Sequence, residues 1–565
     1  MAERPKDPPA VAVPFRGTRL LSHSLYNKST AFTREEREAL GLEGLLPDAV
    51  SSMERQVRRV YENIARKTDD LEKYIGMAAL QDRNEHLFYR LLIDKFAELL
   101  PIVYTPTVGR ACQEYSHIFR RPRGLWITPR HRGRIARVLA NAPADDEVRL
   151  IVATDGERIL GVGDQGAGGM GVPVGKLALY TAAAGIHPAQ TLPVCLDVGT
   201  DNEALLGDEL YIGYPQRRLR GAEYDALVEE FVEAVRQAFP DALLQWEDLK
   251  QQNAFAILER YRHRLPSFND DVQGTGAMVV AGVMAAARVA GVPLERQRAL
   301  VVGGGAAGVG VATVLRAAFA RAGLAAEEVT GAVAVLDLPG LIVDEGAATP
   351  AFRRGVAWPL ERARAAGLGP GAPATLEAAV RALRPTVLIG ATGAPGSFTE
   401  EAVRAMAAHC ARPVILPLSN PTSYCEARPA DLFAWTEGRA LVATGSPFEP
   451  VAHDGGSVRI AQANNAFIFP GLGLGALVAR ARAVSDGMLL AAADRLAEET
   501  LRRSGTEGAL FPTMDALRHV TAGVAEAVVT EALRTGVAAA DLTEEDIPRA
   551  VAAAMWEPAY PALRP

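Results

Sequence analysis

The sequence has few cysteines and no long block of charge of one sign. Its 565 residues contain four cysteines, Cys112, Cys195, Cys410 and Cys425, and none of them forms a CxxC pair. This pattern is typical of reduced thiols and argues against a disulfide scaffold or a zinc site. The 60 Lys and Arg residues are nearly balanced by 67 Asp and Glu residues, with a formal net charge of -7. We therefore expect small-molecule partners, and neither nucleic acid nor an anionic membrane surface.

Signals for export or membrane insertion are also weak. Residues 1–17 are rich in proline and charge and lack the apolar core of a secretory signal, so we expect a cytoplasmic protein. The most apolar stretch, 272–292, contains Gln273 and Arg288 among glycines and alanines. This composition favours a buried helix over a membrane span.

The hydrophobic pattern divides the chain into regions. A chain of 565 residues exceeds what one core usually supports, so several domains are expected. Helical spacing dominates the first hundred residues, and short apolar runs then alternate with helical segments, as in a parallel sheet flanked by helices. A second α/β series follows before an alanine-rich helical end. The predicted α/β fold comprises a flexible tail (1–20), a helical N-terminal domain (21–122), an α/β domain (123–270), a Rossmann-type domain (271–465) and a helical C-terminal segment (466–565) that packs back on the earlier domains.

A glycine-rich turn predicts a dinucleotide site. The stretch ALVVGGGAAGVGVATVL places Gly303, Gly305 and Gly308 in the GxGxxG positions between an apolar strand and a helix. The first glycine permits the tight turn, the second lets the backbone approach a pyrophosphate, and the third lets the helix pack on the strand. Asp337 ends the next strand, where a carboxylate can accept hydrogen bonds from the adenosine ribose. A purely structural glycine turn is the alternative.

Two acidic pairs predict a divalent cation. Glu247 and Asp248 lie in QWEDL, and Asp270 and Asp271 lie in FNDDVQGTG. Adjacent carboxylates repel each other, and beside an apolar segment they are best tolerated when a cation neutralises them. Oxygen ligands favour Mg2+ or Mn2+. Taken singly, each pair is more often a solvated turn or a helix cap.

A lysine in an apolar setting predicts a general base. Lys176 follows the glycine-rich stretch GDQGAGGMGVPVG and is enclosed by apolar residues on both sides. A desolvated lysine near a cation can have its pKa lowered enough to accept a proton. The alternative is a solvated surface charge.

Several long motifs, in order along the chain, resemble those of the malic enzymes in their long form. They are PIVYTPTVGRACQEYSHIF, TDGERILGVGDQGAGGMGVPVGKLALY, FNDDVQGTGA, LSNPT and ANNAFIFPG. The resemblance begins near Leu20 and covers nearly all of the remaining chain. It departs from the family in its cofactor turn, GGGAAG, and around the acids of QWEDLKQQNAF, and neither change removes a needed group.

The resemblance implies a role for each motif residue. Tyr104 is implied to be the proton donor, Lys176 the general base, and Asp270 the residue that supports that lysine. The implied metal ligands are Glu247, Asp248 and Asp271. Substrate binding is implied for Arg158, Asn420, Asn464 and Asn465, and cofactor contact for Arg158, Asp271 and Asn420 together with the glycine turn and Asp337. The implied reaction is oxidation and decarboxylation of L-malate to pyruvate and CO2 with reduction of NAD(P). The implied assembly is a homotetramer.

Two further expectations concern specificity and regulation. Asp337 favours the free 2′-hydroxyl of NAD, whereas Arg353 and Arg354 lie close enough in sequence to reach the 2′-phosphate of NADP, so NAD is expected with NADP possible. Gln56, Arg59 and Arg83 match the positions where some relatives bind fumarate at a subunit interface, and solvated ion pairs are the alternative for these arginines.

Two other functions remain open at this point. One is another NAD(P)-dependent dehydrogenase of small acids, which would not need the acidic pairs. The other is a non-catalytic NAD-binding interaction protein that keeps the fold without the chemistry.

Overall fold

Two parallel β-sheets organise the chain. The computed structural model describes residues 10–142, 147–159, 161–371, 375–453, 455–504 and 508–565. The first sheet has the order β1-β3-β2-β4-β5, and all its neighbours are parallel. Its strands are β1 (Leu125–Ile127), β2 (Leu150–Thr154), β3 (Thr191–Leu196), β4 (Leu243–Trp246) and β5 (Ser267–Asn269). Helices cover both faces, so the strands are near-continuous apolar runs such as LIVAT of β2.

The second sheet has seven strands in the order β12-β11-β10-β9-β6-β7-β8. Only the pair of β7 and β8 is antiparallel. The strands are β6 (Ala299–Val302), β7 (Val333–Asp337), β8 (Gly340–Leu341), β9 (Val387–Gly390), β10 (Val414–Pro417), β11 (Leu441–Thr444) and β12 (Ala461–Gln462). The strand order reverses between β6 and β9, which creates the crevice where such sheets bind ligands.

Helices form the two ends of the chain and cover the sheets. The longer ones are Met53–Ala65, Asp70–Arg83, Glu85–Asp94, Phe96–Val103, Thr107–Gln113, Gly171–Leu179, Gly221–Ala238, Gln251–Tyr261, Thr275–Ala290, Ala306–Arg321, Leu376–Leu383, Glu400–Ala407, Pro429–Trp435, Phe469–Val478, Asp486–Ser504, Leu517–Arg534 and Ile547–Ala554. Shorter ones are Gly17–Leu21, Arg34–Ala39, Tyr115–Ile118, Ile135–Leu139, Glu203–Leu206, Ala326–Ala332, Ala351–Arg354 and Leu360–Ala365. The α/β fold with helical ends, predicted from the periodicity, is confirmed.

The C-terminal helices pack back on the earlier parts of the chain. Asp486–Ser504 packs on Thr275–Ala290, and Leu517–Arg534 packs on Phe469–Val478. Arg518 donates a hydrogen bond to the carbonyl of Ala182 at 2.8 Å. These contacts bury the apolar faces of the alanine-rich helices in the largest core of the molecule.

Part of the expected flexible tail, residues 1–20, takes part in the fold. Residues 1–9 lie outside the described residues, but the strand Val11–Ala12 pairs in parallel with Leu563–Arg564 near the other end of the chain. Val13 and Leu20 are buried. Proline and charge in this segment therefore do not prevent order, because two parts of the chain that are remote in sequence hydrogen-bond to each other.

One helical segment of the described chain, Asp270–Ala290, is long and apolar enough to cross a membrane. Its most apolar window is 83% buried inside the protein. Such burial is typical of a core helix, as the glycines, alanines and Arg288 of this stretch indicate.

Candidate active site

Lys176 is a buried cation at the centre of a group of carboxylates. It lies in the helix Gly171–Leu179 and is 2% exposed. Its Nζ lies 3.0 Å from Glu247 Oε1 and also forms a hydrogen bond and ion pair with Asp270 Oδ2. The ring of Phe469 lies 4.3 Å from the same nitrogen, in a cation–π contact. The alternative of a solvated surface lysine is wrong.

The two acidic pairs come together because they follow neighbouring parallel strands. Glu247 and Asp248 follow β4, and Asp270 and Asp271 follow β5, so both pairs lie at the carboxyl edge of the first sheet. Asp271 Oδ2 accepts a hydrogen bond from the backbone N–H of Asp248 at 2.8 Å. Asp248 has φ +53°, a left-handed conformation that is rare for a residue other than glycine and often marks a functional site.

The group carries an excess of negative charge. Four carboxylates lie close together, and the Lys176 ammonium pairs with two of them, Glu247 and Asp270. Desolvation and the neighbouring Asp270 carboxylate raise the pKa of Asp271 to about 6, although Lys176 opposes the shift. Desolvation likewise raises the pKa of Glu247 well above its usual range. Removing excess charge of this kind requires protons or a further cation.

The donor set fits a hard divalent cation. Asp270 Oδ1 is buried without a hydrogen-bond partner in the described structure, and all of the candidate donors are carboxylate oxygens, which Mg2+ and Mn2+ prefer. No three of the acidic, histidine or cysteine side chains that the structure describes are already arranged as a metal shell. Asp271, for example, has one oxygen engaged by the Asp248 backbone, so the carboxylates would have to turn toward a bound ion.

The pKa of Lys176 moves in the direction opposite to the expected one. Burial by itself would lower it, but Asp270, Glu247 and the nearby Tyr104 together raise it well above its ordinary value. The reason is that two carboxylates, Asp270 and Glu247, face the ammonium, whereas the expected lowering of the pKa assumed a nearby cation. Lowering the pKa of Lys176 requires neutralisation of those carboxylates.

Tyr104 lies beside the lysine. Its ring is 5.5 Å from Lys176 Nζ, and it directly follows the helix Phe96–Val103. Desolvation raises the pKa of Tyr104 well above its usual value, despite the opposing effect of Lys176. The side chain therefore stays a phenol, able to donate a proton to a bound molecule.

Arg158 lies at the rim of the site and not beside the lysine. Its backbone N–H donates to the carbonyl of Asp248 at 3.1 Å, while its side chain is exposed. It lines a cavity of about 440 Å³ together with Glu157, Arg220 and Lys250. Its backbone is thus fixed to a residue of the acidic cluster, and its guanidinium is open to a ligand.

The three asparagines have different surroundings. Asn465 Nδ2 donates to Asp270 Oδ2 at 3.2 Å and to Thr275 Oγ1 at 2.9 Å, so it belongs to the lysine cluster. Asn464 Oδ1 accepts from the backbone of Ala466 at 2.9 Å, as a helix cap. Asn420 Oδ1 accepts from Ser446 Oγ at 2.5 Å, which leaves the amide NH2 group of Asn420 available to donate.

The glycine turn has the geometry that the motif predicts. Gly303 has φ +113°, and a Cβ there would lie 2.3 Å from the carbonyl oxygen of Ala391. A Cβ on Gly308 would lie 1.9 Å from the carbonyl oxygen of Gly303. Gly305 is the residue before the helix Ala306–Arg321, so the free N–H groups of the first helical turn directly follow the glycine turn, as a pyrophosphate site requires. Asp337 ends β7 and is paired with Arg353.

The three residues matched to an effector site have partners outside the lysine cluster. Gln56 is buried, donates to the carbonyl of Lys28 at 2.9 Å and accepts from Tyr560 OH at 2.8 Å. Arg59 donates to Ser51 Oγ at 3.3 Å, and exposed Arg83 donates to the carbonyl of Ala79 at 3.4 Å. The two arginines keep donor capacity, whereas the amide of Gln56 is already engaged.

Two family models match consecutive parts of the chain. "Malic enzyme, N-terminal domain" matches residues 81–262, and "Malic enzyme, NAD binding domain" matches residues 272–533. The NAD-dependent malic enzyme of Vibrio campbellii is 45% identical over 548 residues, with 97% of each chain covered. That of Aeromonas hydrophila is 46% identical, covering 97% of this chain and 96% of that enzyme.

This chain belongs to the malic enzyme family.

Solved malic enzymes share its fold. The Entamoeba histolytica enzyme superimposes with a TM-score of 0.56 at 23% identity, covering 91% of this chain and 90% of that one. The Pyrococcus horikoshii enzyme gives a TM-score of 0.55 at 24% identity, covering 81% and 89%. The resemblance that the motifs carry is therefore confirmed.

Several residues of this malic enzyme that hold the acidic cluster are not indicated by the sequence motifs. Gln245 Nε2 donates to Glu247 Oε2 at 2.7 Å, and Gln245 Oε1 accepts from Tyr180 OH. Gln245 precedes Glu247 by two positions on an extended segment, and that spacing is a signal that the two share a face. Phe469, under Lys176, lies inside the motif ANNAFIFPG, but nothing local indicates which of its two phenylalanines faces the lysine.

Proposed function

We propose that this protein catalyses the NAD-dependent oxidative decarboxylation of L-malate to pyruvate and CO2. The observation that carries the proposal is a buried lysine among four carboxylates, with a phenol beside it, next to a dinucleotide turn. Gly310, in the helix after that turn, packs so closely on Val272 that a Cβ would lie 2.3 Å from the Val272 carbonyl oxygen. The acidic cluster and the dinucleotide crevice are therefore parts of one site.

The residues divide the proton transfers between them. We assign Lys176 Nζ as the base that takes the proton of the C2 hydroxyl, since it is buried and held by Asp270 and Glu247. Asn465 holds Asp270 from the other side. Tyr104 OH, which stays protonated, delivers the proton to C3 after the carboxylate has left as CO2.

Two groups from outside the chain complete the chemistry. NAD, held in the crevice beside the glycine turn, would supply the acceptor for the hydride of C2. Glu247, Asp248 and Asp271 would hold a Mg2+ or Mn2+ ion, which would supply Lewis-acid chemistry at the C2 oxygen of the substrate. Neutralising these carboxylates also removes the main cause of the raised pKa of Lys176.

We assign the substrate contacts to residues with free donors. Arg158 at the rim has an exposed guanidinium that can grip a carboxylate of malate in bidentate fashion. Asn420 presents its NH2 group, because Ser446 occupies its oxygen. Asn464 contributes through the turn that it caps, which positions Asn465.

The domain roles follow from the same geometry. The first sheet, within the proposed domain 123–270, carries Glu247, Asp248 and Asp270. Asp271 is the first residue of the proposed domain 271–465, whose sheet carries the dinucleotide turn. Assembly as a homotetramer, implied by the resemblance, stays a prediction, as does a cytoplasmic location.

We propose NAD as the preferred cofactor. The curated relatives at 45–46% identity are named NAD-dependent. Arg353, the cation that could have met a 2′-phosphate, is paired with Asp337. NADP dependence has no support from these relatives.

A spectrophotometric assay tests the function. Purified protein with L-malate, NAD and Mn2+ should produce NADH absorbance at 340 nm, together with pyruvate in equal amount. A chelator should abolish the signal, and Mn2+ should restore it. NADH without pyruvate would indicate another acid dehydrogenase, and NADH binding without turnover would indicate a non-catalytic protein.

A further inference from the structure

Glu426 is a buried carboxylate between two loops at the carboxyl edge of the second sheet. Its exposed fraction is 0%. One loop begins at Ala391, directly after β9, and the other follows β10 and carries Ser419 and Asn420. These strands are adjacent and parallel, so both loops border the crevice in which the dinucleotide turn lies.

The carboxylate accepts hydrogen bonds from both loops. Its Oε1 accepts from the backbone N–H and the hydroxyl of Thr392, each at 2.9 Å, and from Ser419 Oγ at 2.5 Å. Its Oε2 accepts from the backbone N–H of Ser419 at 3.2 Å. Ser419 Oγ also accepts from the backbone N–H of Gly393 at 2.8 Å. Thr392 and Ser419 are thus cross-linked through a single side chain.

The local sequence leaves space for this carboxylate. A Cβ on Gly390 would lie 2.5 Å from Glu426 Cδ, so any larger residue at the end of β9 would displace the side chain. A buried charge is costly unless it is well hydrogen-bonded, and here two hydroxyls and two backbone N–H groups satisfy it. A neutral side chain of the same shape could not accept all four hydrogen bonds.

One loop touches the dinucleotide turn, and the other carries Asn420, which is assigned to substrate and cofactor binding. The carbonyl oxygen of Ala391 touches Gly303 of the dinucleotide turn so closely that it excludes a side chain there. Asn420 directly follows Ser419, and its Oδ1 accepts a hydrogen bond from Ser446 Oγ, which fixes the direction of the amide. A shift of either loop would therefore alter the space beside the turn and the direction of the Asn420 amide.

We propose that Glu426 is a positioning residue that fixes these two loops against the dinucleotide turn and thereby sets the affinity for the nicotinamide cofactor. The inference rests on the proposed function, because it takes NAD as the ligand of the crevice. Glu426 contacts the loops and not the reacting atoms.

Direct titration of NADH fluorescence tests the role without requiring turnover. We expect Glu426→Gln to weaken NADH binding about tenfold, since the amide leaves donors of Thr392 or Ser419 unsatisfied and the loops relax. The KM for NAD should rise in parallel, while the KM for malate should rise less. The matched control is Glu499→Gln, a buried carboxylate on the C-terminal helix Asp486–Ser504, which pairs with Arg502.

Two milder variants keep the proposal testable if Glu426→Gln does not fold. Thr392→Val and Ser419→Ala each remove one hydroxyl donor and should each weaken NADH binding by about threefold. If the hydroxyl acts through Glu426, Thr392→Val should add little to the effect of Glu426→Gln, because the two contacts belong to one network.

Wild-type NADH affinity in Glu426→Gln, or an equal loss of affinity in Glu499→Gln, would overturn the proposal. Unchanged NADH affinity in Thr392→Val and Ser419→Ala would do so as well. The proposed function fails differently: wild-type protein would then bind NADH without forming pyruvate from malate, and the binding comparison would still decide the role of Glu426.

Discussion

Arg353 and Asp337 form an ion pair at the end of β7, with Arg353 Nη2 2.5 Å from Asp337 Oδ2. The same nitrogen donates to the carbonyl of Gly304 in the dinucleotide turn at 2.9 Å. Arg353, which is near enough in sequence to be expected at a 2′-phosphate, is therefore paired with Asp337, the residue expected to favour a 2′-hydroxyl. One contact thus links the cofactor turn to the choice of cofactor.

Replacing Asp337 should change that choice. In Asp337→Ala, the ribose loses an acceptor and Arg353 is released, so kcat/KM with NAD should fall about tenfold or more while kcat/KM with NADP rises. Initial rates with both cofactors measure the ratio. Asp241→Ala, at an exposed acid that pairs with Arg480, is the control and should keep the wild-type ratio. An unchanged ratio in Asp337→Ala would show that the ion pair does not determine the preference for NAD over NADP.

The second prediction concerns the divalent cation. Asp271→Ala should lower Mn2+-dependent turnover by about two orders of magnitude or more, because one of three proposed ligands is lost. The variant should still fold, since the change removes no core packing and relieves crowding among carboxylates. Rates against Mn2+ concentration, with thermal unfolding followed by circular dichroism, separate the two effects. Near-normal Mn2+ activation would exclude Asp271 as a ligand, and exposed Asp486→Ala serves as the control.

The third prediction separates the two proton transfers. Tyr104→Phe should retain reduction of 2-oxo acids such as oxaloacetate better than the full oxidative decarboxylation, because only the step at C3 needs the phenol proton. Lys176→Ala should impair both reactions. Partial reactions measured with NADH and with NAD give the comparison. Tyr61→Phe, at a half-buried tyrosine that donates to Glu98, should change neither. Equal losses in every partial reaction for both variants would contradict the assignment.

The fourth prediction concerns a dicarboxylate effector. Two arginines can grip the two carboxylates of fumarate, so millimolar fumarate should lower the apparent KM for malate or raise kcat. Arg83→Ala should remove that response and keep basal activity. Arg90→Ala, on the next helix and paired with Asp94, is the control. Wild-type kinetics that do not change with fumarate at subsaturating malate would show that Arg59 and Arg83 are structural.

Local pattern is sufficient to predict the frame of the site. An apolar run followed by acids predicts a strand with carboxylates at its carboxyl end, as for Asp270 and Asp271, because neighbours along the chain share the same strand end. The glycine spacing likewise predicts the turn, since a side chain at each of these positions would clash with nearby backbone or keep the pyrophosphate away. The family motifs added the roles of the residues, which spacing alone would have left open.

The sequence by itself thus determined the α/β organisation, the dinucleotide turn and the identity of the charged residues in the candidate site. Only the tertiary structure decided which of these groups meet. Lys176 and Asp270 are 94 residues apart, Thr392 and Glu426 are 34 apart, and neither spacing predicts a contact. The direction of the Lys176 pKa shift also depended on assembly, because it follows from how many carboxylates surround the ammonium in a space with little water. These contacts and the direction of this pKa shift depend on distances between residues in the folded chain. The sequence pattern shows only which groups are able to interact.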